Sequence, residues 1–221
     1  MSVPLTPRRT GPAKSLNPAA GDHVVTAEPR ELMAARAAAE DALQRFPYLS
    51  ARYAARGGAF TVSDGAWLVL LVERSPQHRR WELDWLASVL IHRGMPRRML
   101  EVYLPVLAAT LTAAWPERAA EYRALAEEGE RLADLRRVVL PDAAVLAVER
   151  AFVARAAPDA PFSPRGVGEL LASGVADVAC GLPAGLAKLL PWLVDPDRFP
   201  PAWIGAVHAA AGEARAALAA P

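Results

Sequence analysis

The chain has 221 residues, a formal net charge of +1, and 53% apolar residues. This apolar content excludes disorder of the whole chain, and the balanced charge argues against a general polyanion binder. A single cysteine excludes a disulfide framework and a cysteine-based zinc site. The longest uninterrupted apolar run, residues 66–72, is far shorter than the roughly 20 residues that span a bilayer. We therefore expect a soluble, cytoplasmic protein with no membrane segment.

The composition predicts an all-α fold. The chain contains 48 alanines and 28 leucines, two of the residues that most favour helix formation. No stretch alternates apolar and polar residues with a period of two, so the sequence predicts no strand.

The first 28 residues carry four prolines and no apolar period, which predicts a disordered tail over residues 1–28. From there on, proline marks helix starts, because its missing N–H needs no partner in the first helical turn. Gly57 and Gly58 are expected to end one helix, and Thr61 to cap the next with Asp64. The predicted helical segments are 29–44, 47–56, 61–72, 75–92, 96–114, 116–140, 141–156, 166–180, 182–194 and 200–219.

Three prolines between residues 157 and 164 indicate a linker. The expected organisation is a helical core domain over residues 29–156 and a C-terminal helical extension over residues 165–220.

The sequence lacks the local motifs of common enzyme classes. Gly166 and Gly168 have no third glycine and no preceding strand, so they do not form a dinucleotide fingerprint. No His-Glu-x-x-His pair and no Walker-type lysine occurs. Glu127, Glu128 and Glu130 share a helix with the Arg136-Arg137 pair, which argues against nucleic-acid binding. These absences favour a non-catalytic protein.

One helical face combines aromatic rings with a histidine. Trp81, Trp85 and His92 lie on the same face of the helix over residues 75–92, beside a stripe formed by Leu83, Leu86 and Leu90. One interpretation is that this aromatic face lines a hollow in which His92 binds a metal, a haem iron or a polar group of a ligand. The other is that the tryptophans pack in the core and His92 only ends the helix.

Pro105 lies inside a predicted helix and removes the hydrogen bond to the Glu101 carbonyl, which predicts a kink. A kink can open a pocket lined by Tyr103, or it can follow the curvature of the core.

The sequence MPRRMLEVYL at residues 95–104, continuing to Trp115-Pro116, resembles the long penultimate helix of the globin superfamily. The resemblance covers about residues 29–140. It implies a globin-like core, His92 as the proximal ligand of a haem, and residues 64–72, which include Trp67, as the distal helix.

Three hypotheses follow for the function. The first is a non-catalytic sensor or accessory subunit that holds a small molecule or a protein partner. The second is a globin-like haem or tetrapyrrole binder that uses His92. The third is a helical enzyme with a non-local site, for which the candidates are Glu101, Tyr103, His92 and Asp84. The candidate ligand-binding residues are His92, Trp85, Trp81, Trp67 and Tyr103, with His92 as the candidate metal ligand.

Overall fold

The computed structural model describes residues 7–156 and 160–218. Over these residues the chain forms ten α-helices, so the all-α prediction is confirmed. Single 3₁₀ turns lie at Ala13–Ser15, Val69–Glu73 and Pro116–Arg118. The helices are α1 (Pro29–Arg45), α2 (Tyr48–Tyr53), α3 (Ala55–Leu68), α4 (Pro76–His92), α5 (Arg98–Ala114), α6 (Ala119–Arg137), α7 (Asp142–Ala156), α8 (Val167–Ala179), α9 (Ala184–Leu193) and α10 (Pro201–Leu218).

Proline marks helix starts as the sequence predicts. Helices α1, α4 and α10 begin at Pro29, Pro76 and Pro201. Ser75 caps α4, since its hydroxyl oxygen accepts a hydrogen bond from the His78 backbone N–H at 3.3 Å.

The predicted break at Gly57 and Gly58 is wrong, because both glycines lie inside α3. The chain breaks earlier, at Ala54, whose φ of 49° separates α2 from α3. Thr61 is a residue of the helix interior rather than its cap, and its hydroxyl donates to the Gly57 carbonyl at 2.8 Å. A threonine inside a helix can donate its hydroxyl to the carbonyl four residues earlier, and the sequence does not distinguish it from a threonine that caps a helix.

The N-terminal segment is ordered over residues 7–28, in contrast to the predicted tail; residues 1–6 lie outside the described residues. Two short strands, β1 (Thr10–Pro12) and β2 (Val24–Thr26), pair antiparallel, so the prediction of no strand is also wrong. The buried Arg8 guanidinium pairs with Glu31 at 2.7 Å, with Glu121 at 2.6 Å and with Glu73. These partners lie 23 to 113 residues away, and local sequence patterns do not reveal such contacts.

The apolar side chains form two main clusters. Side chains of α1, α4, α5 and α6, together with the end of α3 and the following 3₁₀ turn, form the first. Side chains of α7 to α10 form most of the second, together with Phe46, Tyr48, Leu49, Met99 and Leu140. In this cluster Trp203 stacks on Phe199 with ring centroids 5.3 Å apart. Helix α7 packs against α8 and α10, although the sequence analysis assigns it to the core domain. The domain boundaries themselves stay a prediction.

Buried ion pairs join the two clusters where α5 begins. Arg97 bonds Asp177 of α8 at 2.6 Å, and Arg98 bonds Glu169 of the same helix at 2.9 Å. Glu101 accepts from Arg136 of α6 at 3.0 Å. Removing one partner of a buried pair leaves an uncompensated charge, so these pairs set how α8 sits on α5.

The fifth and sixth helices approach each other closely at one glycine. A Cβ atom on Gly129 of α6 would lie 2.7 Å from Cδ of Pro105 on α5. The proline ring cannot rotate away, so a larger residue forces the helices apart.

We expect Gly129→Ala to lower the free energy of unfolding by about 1–3 kcal/mol through overpacking. Gly212→Ala in α10 is the matched control, because its Cβ would meet open space. That change removes a helical glycine and should raise the stability by up to about 1 kcal/mol. Guanidinium denaturation measures both, and equal effects of the two variants would contradict the close approach.

Candidate functional site

A cavity of about 610 Å³ opens between α2, α3, α4, α5 and the end of α1. Its walls are mainly apolar side chains from these helices and from the turn between α4 and α5. The apolar lining residues are Ala42, Phe46, Leu49, Ala54, Phe60, Leu68, Leu86, Leu90, Met95, Met99 and Leu100. A concave apolar space with a few polar groups is the usual form of a small-molecule site.

The polar groups in the cavity wall include one carboxyl and one phenol that lie close together. Burial raises the pKa of Asp64 to about 6, and the charge of Arg93 acts in the opposite direction. Burial also raises the pKa of Tyr103, and the nearby Asp64 charge adds to this. The Tyr103 hydroxyl donates to the Thr61 carbonyl at 3.3 Å. The cavity therefore holds a carboxyl group that titrates near neutral pH.

Gly65 fixes the position of the Tyr103 ring. A Cβ atom on Gly65 would lie 2.2 Å from the Tyr103 hydroxyl oxygen. Only a glycine at this position of α3 leaves room for the Tyr103 phenol. The contact of Gly65 with Tyr103 therefore joins α3 to α5 and also shapes the cavity wall.

Three arginines line the cavity. The guanidinium carbons of Arg56 and Arg93 each lie 5.9 Å from the centroid of the Phe60 ring. The Arg52 guanidinium lies 5.3 Å from the Tyr53 ring centroid and 5.7 Å from that of Trp192. Cations stacked on aromatic rings keep a preferred place while they remain open to solvent.

The turn between α4 and α5 forms part of the cavity wall, and two tyrosines of α2 hold it. Tyr48 donates to the Gly94 carbonyl at 2.8 Å, and Tyr53 donates to the Arg93 carbonyl. Gly94 has a φ of +80°, and a Cβ there would lie 2.3 Å from Nη1 of Arg52. The tight turn therefore requires glycine, and it carries Arg93 to the cavity.

Most of the candidate residues from the sequence lie outside this cavity. Tyr103 lines it, but Trp81 is 63% exposed and Trp85 is 53% exposed. Trp67 packs edge-on against Trp85, with ring centroids 6.2 Å apart. His92 is exposed, and its Nδ1 lies 2.8 Å from the Ser88 carbonyl oxygen, to which it donates.

Helix α4 turns its leucine stripe inward and leaves its tryptophan stripe exposed, so the predicted lining of a hollow by Trp81 and Trp85 is not seen. Leu83 and Leu86 are buried, and Leu86 and Leu90 line the cavity. Both stripes have helical spacing, so the sequence pattern alone does not tell which one faces the core.

A histidine-ligated haem does not fit the residues around the cavity. All four histidines of the chain are exposed, and none of them lines it. The structure, over residues 7–156 and 160–218, shows no group of three or more potential metal ligands. The assignment of His92 as a metal ligand stays a prediction, and it does not concern this cavity.

The acidic residues of the enzyme hypothesis are engaged in ion pairs away from the cavity. Glu101 is buried against Arg98 and Arg136, and Asp84 pairs with Arg131 at 2.8 Å. Neither carboxylate lines the cavity, and His92 does not line it either.

Sequence reasoning did not identify Asp64 as a cavity residue. Phe60, Asp64 and Leu68 recur at intervals of four and therefore share one face of α3. The signal for a cavity-facing acid is a single acidic residue between two apolar residues on one helical face. The sequence predicts that the helix begins only at Thr61, so Phe60 lies outside it and this face is not recognised.

No family model, curated protein or solved structure matches this chain. Within the part of the chain that the structure describes, no helix is both long and apolar enough to cross a membrane.

We expect the Asp64 carboxyl to make stability depend on pH. Its pKa rises from an ordinary 3.8 to about 6 on folding, so between these values the folded state binds more protons than the unfolded state. The wild-type free energy of unfolding therefore falls as the pH rises through this window, by on the order of 2 kcal/mol. Asp64→Asn removes this component, so the stability of the variant relative to the wild type should increase between pH 4 and pH 7.

Denaturant unfolding at both pH values measures the difference. The same change at the exposed Asp197 is the matched control for the loss of one carboxylate. A stability difference between Asp64→Asn and wild type that is equal at pH 4 and pH 7 would contradict the buried environment of this carboxyl.

Proposed function

We propose that this chain is a non-catalytic, cytoplasmic binding protein that holds a small, mainly apolar molecule in the cavity between α2, α3, α4 and α5. The cavity itself supports this proposal: it encloses about 610 Å³, and leucine, methionine and phenylalanine supply most of the apolar side chains in its walls. This volume falls within the range of roughly 300–1,000 Å³ that small-molecule sites occupy.

The energetics of packing also favour a ligand. Apolar side chains that line an open cavity remain in contact with water, and covering this surface with an apolar molecule is favourable. An apolar molecule in this cavity restores contacts for the side chains that line it. For a sensor or accessory subunit that responds to such a molecule, the apolar side chains of these helices supply the binding energy.

The other hypotheses receive less support. The globin-like tetrapyrrole binder needs His92 beside the ligand, and this histidine lies on the surface. The enzyme hypothesis needs Glu101 free to react, and this carboxylate is paired with two arginines. We do not extend the proposal to a protein partner, because nothing in the described residues indicates what would cover the exposed Trp81 and Trp85.

Titration with 1-aminoanthracene, a neutral fluorescent probe of apolar sites, tests the proposal. We expect saturable binding in the micromolar range, with a blue-shifted and stronger emission. Leu90→Trp places a larger side chain at the cavity wall and should weaken probe binding by about tenfold or more. Leu146→Trp, at an exposed position of α7, is the matched control and should bind as the wild type does.

Circular dichroism establishes that both variants are folded before the titration. Absence of saturable binding to the folded wild-type chain would overturn the proposal. The same loss of affinity in Leu90→Trp and Leu146→Trp would place the probe elsewhere and would also overturn it.

A further inference from the structure

The cavity rim carries two cations that share one aromatic ring. The guanidinium groups of Arg56 and Arg93 both lie 5.9 Å from the Phe60 ring centroid. Both arginines are exposed and line the cavity. Resting on the proposed function, we infer that the bound molecule is an amphipathic carboxylate whose anionic group is received by Arg56 and Arg93.

These two side chains are free to bind an anion. Over residues 7–156 and 160–218, the side chains of Arg56 and Arg93 make neither an ion pair nor a hydrogen bond. Arg52 is already engaged, since its Nη1 donates to the Tyr48 hydroxyl and to the Lys188 carbonyl. The anion therefore belongs at the Phe60 end of the rim, where the guanidinium donors of Arg56 and Arg93 are unused and Asp64 is the acidic group that acts on Arg93.

Charge also sets the direction in which the ligand lies. Asp64 is the single acidic residue among the side chains that the structure places in the cavity wall, against three arginines. The three arginines outnumber this carboxyl, so the wall carries a surplus of positive charge that attracts an anionic group toward Arg56 and Arg93. The apolar body then extends toward the leucines and methionines of α4 and α5.

Guanidinium geometry suits an oxyanion, and a carboxylate is the one that a simple amphipathic chain carries. The planar fork of arginine matches the two oxygens of a carboxylate, and such paired, charge-assisted hydrogen bonds are the stronger ones. A single-headed chain, such as a medium-length fatty acid, combines one carboxylate with an apolar body that fits the walls. An alcohol of the same chain length shares the body but lacks the charge.

Competition against bound 1-aminoanthracene tests this inference with decanoate and decan-1-ol as the displacing molecules. We expect decanoate to displace the probe at about tenfold lower concentration than decan-1-ol at low ionic strength. In Arg56→Gln/Arg93→Gln the ratio of the two displacement constants should fall to about one. Higher salt should reduce the wild-type ratio, because both arginines are exposed to solvent.

Arg36→Gln/Arg150→Gln is the matched control, since it removes two exposed arginines of α1 and α7 that do not line the cavity. It should keep the preference for decanoate. Equal displacement by decanoate and decan-1-ol in the wild type would overturn the inference and leave the apolar site intact. If the control variant also lost the preference for decanoate, that preference would come from net charge, and the inference would be overturned. Absence of probe binding would overturn the proposed function as well as the inference.

Discussion

The cavity depends on the hydrogen bonds by which α2 holds the turn between α4 and α5 in place. Tyr48 and Tyr53 donate their hydroxyls to the Gly94 and Arg93 carbonyls, so a six-residue helix determines where two long helices meet. The left-handed backbone of Gly94 makes the turn tight enough for this contact. Because the same turn presents Arg93, one set of hydrogen bonds positions both the wall of the cavity and a cation on its rim.

The shape of the cavity and its charges serve different purposes. In the proposed function, the apolar walls supply binding energy without direction, since burial of apolar surface is favourable in any orientation. The proposed direction comes from the few polar groups, namely the two arginines at Phe60 and the Asp64 carboxyl beside Tyr103. Buried ion pairs at the start of α5 keep this unit joined to α8 without using any of these polar groups.

The candidate site was predictable only in part. Tyr103 was singled out because it lies near the helix-interior Pro105, and it does line the cavity. The sequence favours the tryptophan face of α4 as a ligand site, because aromatic rings there lie beside a histidine, whereas the adjacent leucine face lines the cavity. Helical spacing reports which residues share a face and carries no information on which face meets the core. Asp64 was assigned to a helix cap for a similar reason, since capping and cavity-facing acids look alike in local sequence.

The sequence by itself determined the all-α class and most helix boundaries, because proline at helix starts and the high alanine and leucine content act through local backbone preferences. Tertiary structure decided the rest. The paired strands near the N-terminus, the burial of Arg8 among three distant acids and the inward turn of the Leu86 stripe all depend on contacts between residues far apart in the chain. A cavity is space between elements, and its existence follows from how helices pack, a property that no local pattern of residues encodes.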